Sequence, residues 1–307
     1  MVLGPDVLGG KRMARFSIES ALKSGFRLAR REWKAVLVWG AAYVVFTLLV
    51  QVISIGGALP EYLRQVGQDP EAAAAALEGA SEAQAFVTAP IIMILGLLGM
   101  AVGYGAIARA ILRPDDRRFF YIRFGRSELW LLLTILALAV LAIVAILPMV
   151  IVVSALAALV GAGGAAGVLL AILLGAALGA AWLYVAARLS VAWVQAFDEQ
   201  RFVLADAWRL TRGHGWRIVL TALALVFLLI IMYVAALIPL GIGFAVVAAV
   251  GGQFGVGLAL VLAPVALVVL AGFSGLSYAV MVAPYVEVYR ELNGAALPGG
   301  ETAEVFA

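Results

Sequence analysis

Polar positions in this chain are clustered, and the apolar stretches between the clusters are long. Two of them, 129–187 and 218–286, contain no Asp, Glu, Lys or Arg at all. A membrane-spanning helix takes about 20 apolar residues, so each has room for two spans and a turn. Two shorter runs, 35–59 and 89–108, are separated by a polar segment. The pattern predicts six spans.

Breaks within the runs refine the reading. The sequence GAGGAAG at 161–167 predicts a flexible turn between the third and fourth spans. The connection 241–257 is apolar for a loop, and loop, interfacial segment and re-entrant segment all fit it. Pro148 is expected to interrupt the third span, Pro239 to end the fifth, and Pro264 and Pro284 to lie within and at the end of the sixth. The pairs Gly99/Gly103 and Gly175/Gly179 have the spacing that lets helices approach closely. Packing inside one bundle is the ordinary reading, and dimerisation the alternative.

Composition agrees with the pattern: 65% of residues are hydrophobic, 13% are charged, and mean hydropathy is +1.10. Soluble domains carry about 25% charged residues. Of the 21 bases, 20 fall before the first predicted span, after the second, after the fourth and after the sixth. The segment between the first two spans holds only Arg64 against Glu61, Asp69, Glu71, Glu78 and Glu82. The positive-inside rule then places both termini in the cytoplasm and the acidic loop 60–88 outside. A cleaved signal peptide is the rival reading of the start; the long first run after a polar lead favours a retained span. The pI near 9.3 reflects these strung-out bases and implies no nucleic-acid binding, since no such motif accompanies them.

A basic-aromatic phrase recurs. FRLARREWK from Phe26, RFGRSELW from Arg123 and WRLTRGHGWR from Trp208 each precede an apolar run. The ends of the even-numbered spans echo one another too, from Tyr104, Tyr184 and, more weakly, Tyr278. These echoes suggest a threefold repeat of a basic interfacial segment followed by a helical hairpin, with common interfacial flanking as the alternative. Ile18, Leu22, Phe26, Ala29 and Trp33, three or four apart, form one helix face, with Lys23, Arg27, Arg30, Arg31 and Lys34 off it. Such a helix suits the headgroup layer. The expected membrane-interface anchors are Phe26, Arg27, Arg30, Trp33, Arg126, Trp130, Trp208, Arg212 and Trp216.

Little in the chain suggests catalysis. There is no cysteine, and His214, between two glycines, reads as a solvated turn residue. No metal or cofactor is expected. Asp198, Glu199 and Asp206 beside Arg201 and Arg209 read as a salt-linked helix end. Arg109 and Arg188 lie close to the tyrosines Tyr104 and Tyr184, nearly inside the apolar runs. They either snorkel to the interface or hold an anionic headgroup with the planar guanidinium fork. In the second case they converge with Tyr104, Tyr184 and Glu287.

The stretch ARLSVAWVQAFDEQRFVLADAWRLTRGHGWRIVL, 187–220, resembles the bacterial glycerophosphoryl diester phosphodiesterase membrane-domain family and its uncharacterised multi-span relatives. Beyond this stretch only the span layout agrees. Some relatives join this region to a soluble catalytic barrel. No polar segment here is long enough for one, so the hydrolase activity does not transfer. The resemblance implies an integral inner-membrane protein placed near lipid metabolism.

The sequence therefore predicts an all-α integral membrane protein of the bacterial inner membrane. Six transmembrane helices form three tandem helical hairpins, each preceded by a basic interfacial segment. The expected divisions are an interfacial segment 1–34, a first hairpin 35–112, a second with its basic loop 113–192, a third with its basic loop 193–290, and a cytoplasmic tail 291–307. The leading functional expectation is non-enzymatic handling of a lipid or other amphiphile, with anionic membrane lipids as partners. A scaffold or assembly subunit, with a protein partner or a second copy, is the alternative, and a channel or secondary transporter the third.

Overall fold

The computed structural model describes residues 17–55, 64, 70–250 and 252–294. The first part of the interfacial segment, Glu61 and Asp69 of the acidic loop, and the tail after 294 lie outside the described residues. All regular structure among the described residues is helical. Its elements are α1 (Ile18–Arg31), α2 (Trp33–Ile55), α3 (Pro70–Leu112), a short 3-10 turn (Arg118–Tyr121), α4 (Arg126–Ala162), α5 (Gly164–Leu189), α6 (Ala192–Glu199), α7 (Leu204–Leu210), α8 (Gly215–Val250) and α9 (Gly252–Leu292). Helices α2, α3, α4, α5, α8 and α9 are each long and apolar enough to cross a membrane.

Local chemistry explains most of the boundaries. The Ser17 hydroxyl caps α1, accepting from Ser20 N at 3.4 Å. At Glu32, φ −119° and ψ 42° end α1 and set α2 off on a new axis. Gly164, at φ +54°, supplies the turn expected at 161–167.

The structure corrects three boundary expectations. Helix α3 begins at Pro70, well inside the segment expected to be an acidic loop, because EAAAAALE is a strong helix former and proline is favoured at a first helical position. Pro239 lies inside α8 rather than ending it. The apolar connection 241–257 is helical on both sides of 251, so it continues α8 and opens α9. A helix satisfies its own backbone groups, which apolar surroundings require.

Successive long helices pack in series from α2 to α9, and α9 returns to pack on α2 and α3. The tightest crossing is α2 on α9. A Cβ on Gly40 would collide with the Ala271 carbonyl, and one on Gly275 with the Val36 carbonyl. Helix α1 lies across the end of α9, where a Cβ on Gly25 would come within 2.5 Å of Val280 Cα. Its docking face is Ala21, Ser24, Gly25 and Leu28, all buried. The face expected to meet lipid splits: Ile18, Leu22 and Ala29 are half-buried, while Phe26 and Trp33 stay exposed.

The two glycine pairs differ. Gly99 packs on the Phe46 ring at 3.5 Å, and Gly103 faces the Tyr278 ring. Gly179 has nothing near its Cβ position, and Gly175 meets only Leu156 at 3.9 Å. The second pair does not draw helices together within this chain.

The buried core gathers at one end of the bundle, where the bases also lie. Helix α6 is central to it, with 192–197 buried throughout. A basic loop was expected to begin there; Ala-Trp-Val-Gln-Ala-Phe is instead apolar enough to fill the end of the bundle. Farther from this end, α4, α5, α8 and α9 expose rows of Leu, Ile and Val.

Candidate functional site

Three ionic or cation–π clusters organise the basic end. Arg109, near the end of α3, is buried; its Nη1 donates to the Tyr121 carbonyl at 2.5 Å, and its Nη2 to the Glu128 carboxylate. Glu128 also accepts from Gly125 N at 3.0 Å, which caps the start of α4. Asp116 lies 3.8 Å from Arg109 Nε, and the guanidinium sits 5.6 Å from the Phe197 ring centre. This geometry consumes the guanidinium fork within the protein.

Arg188, at the end of α5, is buried against the Trp208 ring, 3.6 Å from its centre, with Tyr184 at 5.8 Å. It donates to the Trp208 carbonyl and, at 3.3 Å, to Thr211 Oγ1. Two aromatic faces and two neutral acceptors replace the carboxylate that Arg109 enjoys.

Glu287, at the end of α9, accepts from Arg290 and, at 3.3 Å, from Arg27 of α1. Its partners are therefore neither Arg109 nor Arg188. The tyrosines also divide: Tyr104 packs with Trp193 and Tyr278, at centroid distances of 5.0 and 5.6 Å, while Tyr184 packs with Trp216 at 5.4 Å. The five residues expected at one anionic site do not converge: Arg188 and Tyr184 share a neighbourhood, while Arg109, Tyr104 and Glu287 are engaged with other partners.

The expected interface anchors fall into two groups. Phe26, Arg30, Trp33, Arg126, Arg212 and Trp216 are exposed. Arg27 and Trp208 are engaged with Glu287 and Arg188, and Trp130 is half-buried. The acidic group after α6 behaves as a salt-linked helix end: Arg201 meets Glu199 and Asp206, each at 2.6 Å. Hydrogen bonds to Asp206 and then Glu199 raise the Arg201 pKa above its usual value. His214 lies in a turn with Nδ1 3.3 Å from the Arg212 carbonyl.

A groove lies between α2 and α3. It has a volume of ≈ 520 Å³ and is partly open. Ala42 and Phe46 form one wall, 95–103 the other, Trp39 and Ile122 one end, and Tyr43 and Tyr278 contribute their stacked rings at 6.1 Å. Its lining is almost wholly apolar. Gly96 leaves open space here, with nothing within 4 Å of its Cβ position, while Gly99 and Gly103, three and then four residues farther along the same face of α3, meet the rings of Phe46 and Tyr278. That spacing is visible in the sequence, but it reads there as a packing surface.

Beneath the groove stands an unusual turn. Phe119, Phe120 and Tyr121 all have positive φ, at 50°, 56° and 66°. Left-handed backbone costs an L-residue roughly 1–2 kcal/mol, and such conformations persist only where surroundings enforce them. Here Trp39 Nε1 donates to the Phe120 carbonyl at 2.9 Å, Arg109 holds the Tyr121 carbonyl, and the Tyr121 hydroxyl reaches the Pro114 carbonyl at 3.3 Å. Tyr121 is buried beside Trp39, whereas Phe119 and Phe124 are 80% and 61% exposed. Compared with family models, with curated proteins and with solved structures, the chain matches none.

Proposed function

We propose that this chain is a non-enzymatic, multi-pass protein of the bacterial inner membrane that holds an acyl chain of a lipid, or another amphiphile, in the groove between α2 and α3. The groove carries the reading. It is apolar, about the size of a small-ligand pocket, partly open, and lies between two helices long and apolar enough to cross a membrane. A partly open apolar groove between two such helices suits a ligand that arrives from lipid. The three hairpins, the cytoplasmic placement of both termini and the anionic character of the lipid partners belong to the same proposal. So does the kinship with membrane-domain proteins near lipid metabolism, supported by the 187–220 stretch and the clustering of bases at one end.

The test is lipid content. Protein extracted with native lipid is compared with Gly96→Phe, whose ring would project into the groove from a position with no neighbour within 4 Å. The variant is expected to fold and to lose tightly held lipid. Equal retention overturns the groove as the site. A second reading, a membrane assembly subunit, is favoured by the unfilled Gly175/Gly179 face of α5; loss of self-association or of a bound protein on Gly179→Leu, with lipid content unchanged, selects it.

A further inference from the structure

We infer that the left-handed turn at Arg118–Tyr121 is the headgroup-recognition element for the groove. Arg118 takes the phosphate of an anionic phospholipid whose acyl chain lies between α2 and α3, and Phe119 seats in the same leaflet beside it. This inference rests on the groove reading and adds the ligand's charge and the residues that select it.

Four observations converge on the turn. The first is position. Trp39 and Ile122 line one end of the groove, Trp39 Nε1 is bonded to the Phe120 carbonyl, and Ile122 follows the turn directly. A lipid with its chain in the groove has its headgroup at this end, because α2 begins and α3 finishes among the bases there.

The second is charge. Of the six arginines between 109 and 126, four are matched: Arg109 with Glu128, Arg113 with Asp198 at 3.6 Å, Arg117 with Glu32 at 3.1 Å, and Arg123 with Asp116 at 2.8 Å, while Arg126 stands exposed at the start of α4. Arg118, exposed in the same turn, has no carboxylate or hydrogen-bond partner among the described residues. An exposed guanidinium fork with no acid matched to it, standing in the turn at the end of the groove, suits phosphate oxygens.

The third is surface. Phe119, Phe120 and Phe124 are all exposed around Arg118, an arrangement of aromatic rings beside bases that suits a bilayer interface. The alternation of base and ring favours lipid over a protein partner, whose contact surface would bury the rings but leave Arg118 in need of an acid. The fourth is strain. Three consecutive left-handed residues, none of them glycine, are held there by bonds from α2 and α3. Those bonds turn Tyr121 inward and leave Phe119 outward, so the bracing fixes which ring meets the leaflet.

The test uses the full chain in bilayers carrying spin-labelled phosphatidylglycerol or spin-labelled phosphatidylcholine, and reads each label's immobilised fraction. The unmodified protein is expected to prefer the anionic label. Arg118→Gln should reduce that preference about fivefold, the equivalent of roughly one surface base, while Arg209→Gln, an exposed base paired with Asp206, should leave it unchanged. Phe119→Asn should weaken retention of the anionic label without lowering thermal stability, since Asn tolerates left-handed backbone; a purely structural turn would show no such split. Should Gly96→Phe release both labels while Arg118→Gln behaves like Arg209→Gln, the headgroup assignment fails and the groove reading stands. Should Gly96→Phe release neither, both fall together. A photocrosslinker replacing Phe119 that captures protein in place of lipid also overturns the assignment.

Discussion

Gly40 of α2 and Gly275 of α9 meet backbone to backbone: a Cβ on Gly40 would lie 2.6 Å from Gly275 N. The crossing joins the first and last long helices and brings Tyr278 toward the α2–α3 groove. Close approach of this kind depends on small residues, because apolar surroundings give helices little hydrophobic reason to associate. Gly40→Ala and Gly275→Ala are each expected to destabilise by about 1–3 kcal/mol through overpacking, despite alanine's better helix propensity. Gly179→Ala, with open space around it, should gain up to about 1 kcal/mol. Thermal unfolding in detergent ranks the three, and equal melting temperatures for Gly40→Ala and Gly179→Ala would refute the crossing.

The Arg109–Glu128 pair gives a second prediction. Both side chains are buried, and Glu128 also caps α4 through Gly125 N. Removing either partner leaves the other charge buried and unmatched, at a cost of about 3–5 kcal/mol. Arg109→Met and Glu128→Leu should each lower stability by that order. The double variant should recover part of the loss, and a double-mutant cycle reads the coupling. Additive losses would show that the two charges do not sense each other.

Arg188 is expected to behave differently from a lipid-binding arginine. Arg188→Lys keeps the charge but gives up the flat stack on Trp208 and one of two donor directions. The expected loss is about 1–2 kcal/mol of stability, with bound lipid unchanged. Lipid loss at constant stability would restore Arg188 to the list of headgroup ligands.

The fold was legible where apolar length alone decides, and illegible where tertiary partners decide. The six long helices follow from uncharged runs. Helix α6 escapes the same reading because Ala192–Phe197 is too short to count as a span, although every residue in it is buried. The early start of α3 at Pro70 was written in helix propensity, which a search for apolar runs ignores. Arg109 was identifiable as a charge out of place, but its partner Glu128 lies across a turn whose path no local pattern reveals. The left-handed run Phe119–Tyr121 is the extreme case. No glycine marks it, and its geometry depends on donors from Trp39 and Arg109.

Orientation is testable because the chain has no cysteine. Ala76→Cys and Arg209→Cys should label from opposite faces of the membrane, with residue 76 outside. Arg209 suits the inner probe because its side chain is exposed. Labelling of Arg209→Cys from outside intact cells would reverse the topology.

The final prediction joins the groove to the turn through one bond. Trp39 lines the groove and donates from Nε1 to the Phe120 carbonyl at 2.9 Å, so it senses both places at once. Trp39→Phe keeps an aromatic wall against Tyr121 and removes only part of the ring and the donor. A lost hydrogen bond of this kind costs about 0.5–1.5 kcal/mol, and here the loss falls on a turn that already carries left-handed strain. The turn should therefore open more often, which limited proteolysis across 117–124 would read as faster cleavage. If the turn selects the headgroup, preference for phosphatidylglycerol should fall in the same variant, although no base has been removed. Faster cleavage with an unchanged lipid preference would uncouple the turn from the groove and leave Arg118 an ordinary surface charge.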